Sequence, residues 1–230
     1  MARAHLENAA TPEDVRDSYV RALLALDLAP IAGAAQDLAP RIAAGGLLWT
    51  LGTGHSQSVA LEGYHRAGAP AWVAPLVDDR VAASRGARGT AAERTAGLGS
   101  EFADRLRRDD GALLVVSTAG VNPVPLEAAA RARERGLVTI AITARGPSNR
   151  LATLVDHVLD TGAPAGDASV MVAGQAMAPI STVAGAVLLH ALLVETERLL
   201  GGGNVLASVN VPDGDDHNSR LLARYPHLQP

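Results

Sequence analysis

The sequence predicts an α/β protein, a three-layer α/β/α sandwich around a mainly parallel, flavodoxin-like sheet of five strands, with helices ahead of it. Three observations predict this. Apolar runs of strand length, 47–51, 71–75, 113–116, 138–143 and 156–159, alternate with stretches of helical period. Leu113-Leu114-Val115-Val116 is apolar without alternation, as in a strand covered on both faces. Strand followed by helix, repeated, implies right-handed crossovers between parallel neighbours. The 230 residues suit one domain, with helices in 1–46, an α/β core in 47–200 and a C-terminal segment in 201–230.

Thr11-Pro12-Glu13-Asp14 is a helix start, a capping hydroxyl followed by proline and acids, and opens a helix over 12–28. A second helix follows Pro30 and stops at Gly45-Gly46. Both precede the first strand, so their apolar faces are expected to cover the sheet or a partner subunit. Strand 47–51 leads through Gly52-Thr53-Gly54-His55 into a helix over 56–67. After strand 71–75, the stretch from Asp78 to about residue 90 reads as a loop over the pocket. A helix over 93–107, strand 113–116, a helix over 124–135, strand 138–143, a short helix after Pro147 and strand 156–159 complete the core. Residues 160–178, rich in glycine and alanine, read as irregular. Pro179-Ile180-Ser181-Thr182 opens a long apolar helix, and Asp213 to Asn218 precedes a short amphipathic one.

Composition removes several function classes. Only 3% of residues are aromatic and the net charge is -4, which disfavours the stacking surfaces and positive clusters that hold nucleic acid. No cysteine is present, which excludes disulfides, thiolate nucleophiles and cysteine zinc sites. All 20 basic residues are arginine, which excludes Schiff-base lysines and a lysine-bearing phosphate loop. The N-terminus shows no signal-peptide pattern, and the apolar run 183–194 is too short to cross a bilayer, so a cytoplasmic location is expected.

The strand-to-helix junctions carry the chemistry. Helix N-termini present unpaired amides and partial positive charge, and glycines let a ligand approach the backbone. Gly52, Thr53, Gly54 and Ser56 make one such junction. Ser117, Thr118 and Gly120, with Asn122, make a second, and Ser181 and Thr182 a third. Meeting at one sheet edge, they would enclose a phosphorylated or polyhydroxylated ligand held by hydroxyls and amides. Asp167, in a glycine-bracketed loop, is either a sugar-hydroxyl acceptor or a turn former. A dinucleotide is disfavoured, since its third glycine would fall at Gln57.

These residues resemble a known family. Gly52-Thr53-Gly54-His55-Ser56, Ser117-Thr118-Ala119-Gly120 and the entry to the helix at Pro179–Gly185 are similar to the sugar isomerase (SIS) fold, whose members bind phosphosugars. Tyr64 to Gly68, Gly162 to Asp167 and Asp213 to Asn218 resemble a branch of it labelled phosphoheptose-isomerase-like. The second loop of that family commonly reads Ser-x-Ser-Gly, and Ala119 here removes one hydroxyl, worth about 1 kcal/mol as a neutral hydrogen bond.

The resemblance implies an aldose-ketose isomerase acting on a sugar phosphate through an enediol, with Glu62 as base and no organic cofactor. His55 or His217 is expected to open the ring or polarise the carbonyl, and His217 could serve a neighbouring subunit of a homodimer or homotetramer. Two alternatives use the same cage: a sugar-phosphate sensor without turnover, and a lyase or etherase on an amino-sugar phosphate. Glu62 and His65 share a helical face and form half of a metal pair, but no second pair is evident, so no metal is expected. His190 and Glu195 read as core.

Overall fold

The computed structural model describes residues 10–106 and 111–228. Five parallel strands form one sheet in the order β2-β1-β3-β4-β5: β1 Leu47–Gly52, β2 Val73–Pro75, β3 Gly111–Val116, β4 Val138–Thr143 and β5 His157–Asp160. β3 is buried at every position, as its unbroken apolar run requires. Leu47 pairs with Gly111 and Gly52 with Val116, so β1 and β3 end side by side at the carboxyl edge.

Helices cover both faces. On one lie α2 (Ala29–Ala43), α3 (Ser56–Glu62) and α7 (Ser181–Leu200), whose Leu38, Ile42, Val59, Leu188 and Leu192 pack on Leu48, Leu114 and Ile140. On the other lie α5 (Leu98–Asp104) and α6 (Pro123–Glu134), with Phe102, Val124 and Ala128 against Leu51, Leu113 and Val115. This is the three-layer sandwich that the sequence predicts. Among the described residues no single helix is long and apolar enough to cross a membrane.

Four local departures have physical reasons. α1 (Pro12–Leu24) has the capping box of Thr11 and Asp14 but buries no residue. Of the two N-terminal helices only α2 covers the sheet. α1 instead lies on a hairpin of β6 (Ala168–Val172) and β7 (Gln175–Pro179), where Tyr19 donates to the Pro179 carbonyl at 2.8 Å. That hairpin occupies the stretch expected to be irregular. α3 stops at Glu62 rather than near 67, because Gly63 caps it and His65 turns to φ 44°. The span 79–85 forms two 3-10 turns leading to α4 (Ala87–Glu93), and the helix expected over 93–107 is split from it at Gly97, with φ 87°. Residue 107 of that expected helix lies outside the described residues.

The chain closes with α8 (Gly214–Arg224) and a 3-10 turn over 226–228. His227 there hydrogen-bonds the Val73 carbonyl through Nε2 at 3.0 Å, and burial lowers its pKa from 6.5 against the raising effect of backbone carbonyls. The native state therefore binds fewer protons at this ring than the unfolded state does. Its stability is full above the unfolded value and is lost as pH falls toward the depressed one. Unfolding free energy should drop between about pH 7 and 5, and His227→Gln, which can still donate to Val73, should flatten that slope. Equal slopes in urea titrations of both proteins would show that His227 is not the titrating group.

Candidate functional site

The first two junctions meet because the sheet register forces them to. Gly52 and Val116 are paired, so Thr53 and Ser117 leave the carboxyl edge as neighbours. The third arrives with α7. Gly185 sits so close to α3 and β4 that a Cβ there would stand 3.3 Å from Val59 and 3.4 Å from Ile142. Gly63 and Leu193 are in similar contact farther along, so α3 and α7 run side by side with their N-termini at the same edge. Ligands of open parallel sheets bind at this edge.

The second loop borders a cleft of about 600 Å³ lined by Thr118, Ala119, Arg145, Asn149, Ala163 and Asp167. Ser117 is buried, and its Oγ accepts from the Gly120 amide at 3.3 Å, leaving the hydroxyl proton to donate elsewhere. Gly120 has φ 60° and packs its α-carbon on Asn149, whose Nδ2 donates to Thr143 Oγ1 at 2.6 Å and to the Ala144 carbonyl at 2.7 Å. Asn122 holds the N-cap position of α6 without a side-chain capping bond.

Two expected anion contacts are occupied by the protein itself. The Gly54 amide donates to the Val81 carbonyl at 2.8 Å, because the segment after β2 lies across the glycine loop. Asp167 accepts from the Ile180 and Ser181 amides at 3.1 and 2.8 Å and from Ser181 Oγ at 2.5 Å. Its carboxylate fills the N-terminus of α7, where the helix dipole favours negative charge. Ser181 and Asp167 are thus a mutual cap, the turn-forming alternative for Asp167, which also lines the cleft; Thr182 beside them is half-buried.

The expected catalytic residues are spread out. His55, exposed, is the N-cap residue of α3 and makes no capping bond. Glu62 lies six residues beyond Ser56, roughly 9 Å along the helix axis. Its Oε1 takes an ion pair from Arg66 and stands 3.5 Å from His190 Nε2. Both Glu62 and His190 are partly exposed, with 35% and 41% of their side chains accessible, so His190 is a surface group and its reading as core is corrected. Glu195, half-buried, pairs with Arg198 at 2.6 Å on the same helix rather than joining the core.

His217 does not join them. Its Nε2 hydrogen-bonds the Val205 carbonyl at 2.8 Å, and Val205 bridges Pro70, which precedes β2. It stands toward the amino edge of the sheet, about one strand length or ~20 Å from the glycine loop, and its partner Val205 borders the same cavity as His190. His65 is exposed, and among the described residues no group of three His, Asp or Glu side chains is arranged to hold a metal ion.

The structure adds one carboxylate that sequence reasoning passed over. Thr53 Oγ1, in a residue only 5% exposed, donates to Glu93 Oε1 of α4 at 2.5 Å. Arg145 and Asn149, both in the cleft, were also passed over, as was the pairing of His190 with Glu62. Glu93 gave no signal of its own, since it falls at the first residue of the helix expected over 93–107.

A parallel sheet in this order with hydroxyl-bearing loops at its carboxyl edge defines an α/β protein of the SIS kind, and the SIS domain family model matches residues 14–144. The chain belongs to the SIS-domain family. It is 39% identical over 199 residues to a UPF0309 protein of Brucella ovis, covering 79% of this chain and 82% of that one. Among solved structures it is similar to a phosphoheptose isomerase from Francisella tularensis, with TM-score 0.54, 18% identity and coverage of 81% of this chain and 94% of that one. A phosphoheptose isomerase from Neisseria gonorrhoeae gives TM-score 0.53, 20% identity and the same coverage. At these identities the likeness to solved structures is one of fold.

Proposed function

We propose that the protein is a sugar-phosphate aldose-ketose isomerase that acts in the cytoplasm without an organic cofactor. The observation that carries this reading is the pair of Glu62, on the helix that leaves the glycine loop, and His190, on α7 beside it, an acid and an imidazole 3.5 Å apart and both partly exposed. An extended sugar phosphate with its phosphate at the carboxyl-edge loops reaches the ~9 Å along α3 to Glu62. There Glu62 removes the proton from the carbon beside the carbonyl and returns it to the adjacent carbon, through an enediol. Arg66 and His190 both approach Oε1, which leaves Oε2 for the transferred proton. His190 takes the polarising role first assigned to His55 or His217. The phosphate is held by Ser56, Ser117, Thr118, Asn122 and Arg145, and membership of the SIS-domain family supports that ligand class.

The partner in assembly is a second copy of the chain, as a homodimer or homotetramer. Val20 and Leu24 of α1, together with Val187 and Val194 of α7, are exposed apolar side chains that such contacts would cover. In that assembly His217 serves a neighbouring subunit.

A non-catalytic sensor is the second reading, supported by the Arg66 ion pair on Glu62 and by the two junction contacts that the protein fills itself. Proton exchange separates the two. Incubated in deuterated solvent with a panel of aldose and ketose phosphates, the wild type should incorporate deuterium at the carbon beside the carbonyl. Glu62→Gln should lose at least about a hundredfold of that rate, the usual worth of a general base. Ligand-induced stabilisation without any exchange in the wild type would sink the isomerase in favour of the sensor.

A further inference from the structure

We infer that Glu93 is a specificity-determining residue that accepts a hydrogen bond from a hydroxyl of the sugar, so that the site selects a polyhydroxylated phosphate ester over the bare anion. This rests on the sugar-phosphate reading of the carboxyl edge and deepens it.

The span from β2 to Glu101 carries four carboxylates. Asp78 is held by Arg80 and Arg105, Asp79 by Arg85, and Glu101 by Arg80 and Arg105. Arginines hold Asp78 well below the usual carboxylate range, so these groups are spent on fixing the segment. Glu93 differs. Among the described residues it has no arginine partner, although Arg88 and Arg94 are on or beside its own helix. It turns instead to a neutral hydroxyl, that of Thr53 in the glycine loop.

That choice has a chemical consequence. A carboxylate has about four lone-pair positions, and Thr53 uses one, on Oε1. Oε2 and the remaining capacity are left in a half-buried place beside the ligand-binding edge. Such acceptors suit neutral O–H donors; a phosphate dianion, which has no proton to offer, is repelled. The segment that bears Glu93 is also anchored at the loop, by the Gly54 amide on Val81 and by the close packing of Gly89 on the Ala82 carbonyl. Glu93 is therefore positioned before a ligand arrives.

The test compares affinities of the full-length wild type, Glu93→Gln, Thr53→Val and Thr53→Ser, by calorimetry, for inorganic phosphate and for aldose and ketose phosphates of four to seven carbons, fructose 6-phosphate included. Glu93→Gln should weaken the sugar phosphate that binds best by about tenfold, the usual worth of a hydrogen bond to a charged group, and leave inorganic phosphate unchanged. Thr53→Val, which frees Glu93 from its anchor, should weaken the same ligand, and Thr53→Ser, which keeps the hydroxyl, should not. Tighter binding of both ligands by Glu93→Gln would overturn the proposal, because the carboxylate would then only repel the anion. Unchanged binding of both would overturn it too, while leaving the sugar-phosphate reading in place. If the wild type binds phosphate and no sugar phosphate of the panel, that reading and the role of Glu93 fall together.

Discussion

Replacing Glu197 by alanine is expected to remove about 3–5 kcal/mol of folding free energy, the range for stripping a partner from a buried charged network. Its carboxylate, in a residue 9% exposed on α7, accepts from Trp72 Nε1 at 2.9 Å, from the Asn204 amide at 2.8 Å and from Asn204 Nδ2 at 3.1 Å. Asn204 Oδ1 in turn accepts from Tyr225 Oη and Arg224, each at 3.1 Å. One carboxylate thus ties the start of β2, the end of α7 and the C-terminal segment together. Alanine leaves the indole N–H of a fully buried tryptophan and a buried backbone amide with nothing to donate to. For a chain of this length the melting temperature should fall by about 10 °C. Glu197→Gln should fall between, since one oxygen survives and the new NH2 meets donors. An unfolding free energy for Glu197→Ala within about 1 kcal/mol of the wild type would show that the chain relaxes around the loss.

How much of this was legible in the sequence depended on the range of the interaction. The sheet strands announced themselves because each is a local apolar run, and alternation with helices gave the parallel order. The hairpin of β6 and β7 escaped because Val170 and Val172 are set among alanine, glycine, serine and glutamine without apolar alternation, and its residues are half-buried or exposed. The break at Gly97 escaped because α4 and α5 are each two turns long, too short to declare separate periods. At the site, the glycine and hydroxyl junctions were readable as loops of fixed chemistry. Their partners were not. Thr53 meets a carboxylate 40 residues away, Glu62 an imidazole 128 residues away, and Ser181 an aspartate 14 residues back whose capping role looks in sequence like any turn. His190 read as core because its neighbours in the chain are apolar, yet α7 leaves one stripe open, with Val187 and Val194 exposed on either side of it.

The two glycines of the first junction are expected to respond very differently to alanine. A Cβ at Gly52 would run into the Ser56 carbonyl and the Gln57 amide, both backbone of the first turn of α3. Backbone in a packed helix cannot rotate aside as a side chain can. α3 is further pinned by buried Val59 and Ala60 and by Thr50 Oγ1, which donates to the Ala60 carbonyl at 2.6 Å. Gly52→Ala must push the helix off the sheet edge or distort the loop, at about 3 kcal/mol. The displacement moves Ser56 and Thr53 together, so sugar-phosphate binding should be lost in the fraction that still folds. Gly54 faces open space with φ 54°, and alanine there meets only the left-handed backbone strain of about 1–2 kcal/mol. The separation between the variants is the measurement: thermal unfolding and fructose 6-phosphate affinity of Gly52→Ala against Gly54→Ala. Equal losses in both would mean that the loop, not the contact between strand and helix, sets the geometry. The expected result is a Gly54→Ala protein that is slightly less stable and still binds, beside a Gly52→Ala protein that does neither well, because the first glycine fixes where the helix begins.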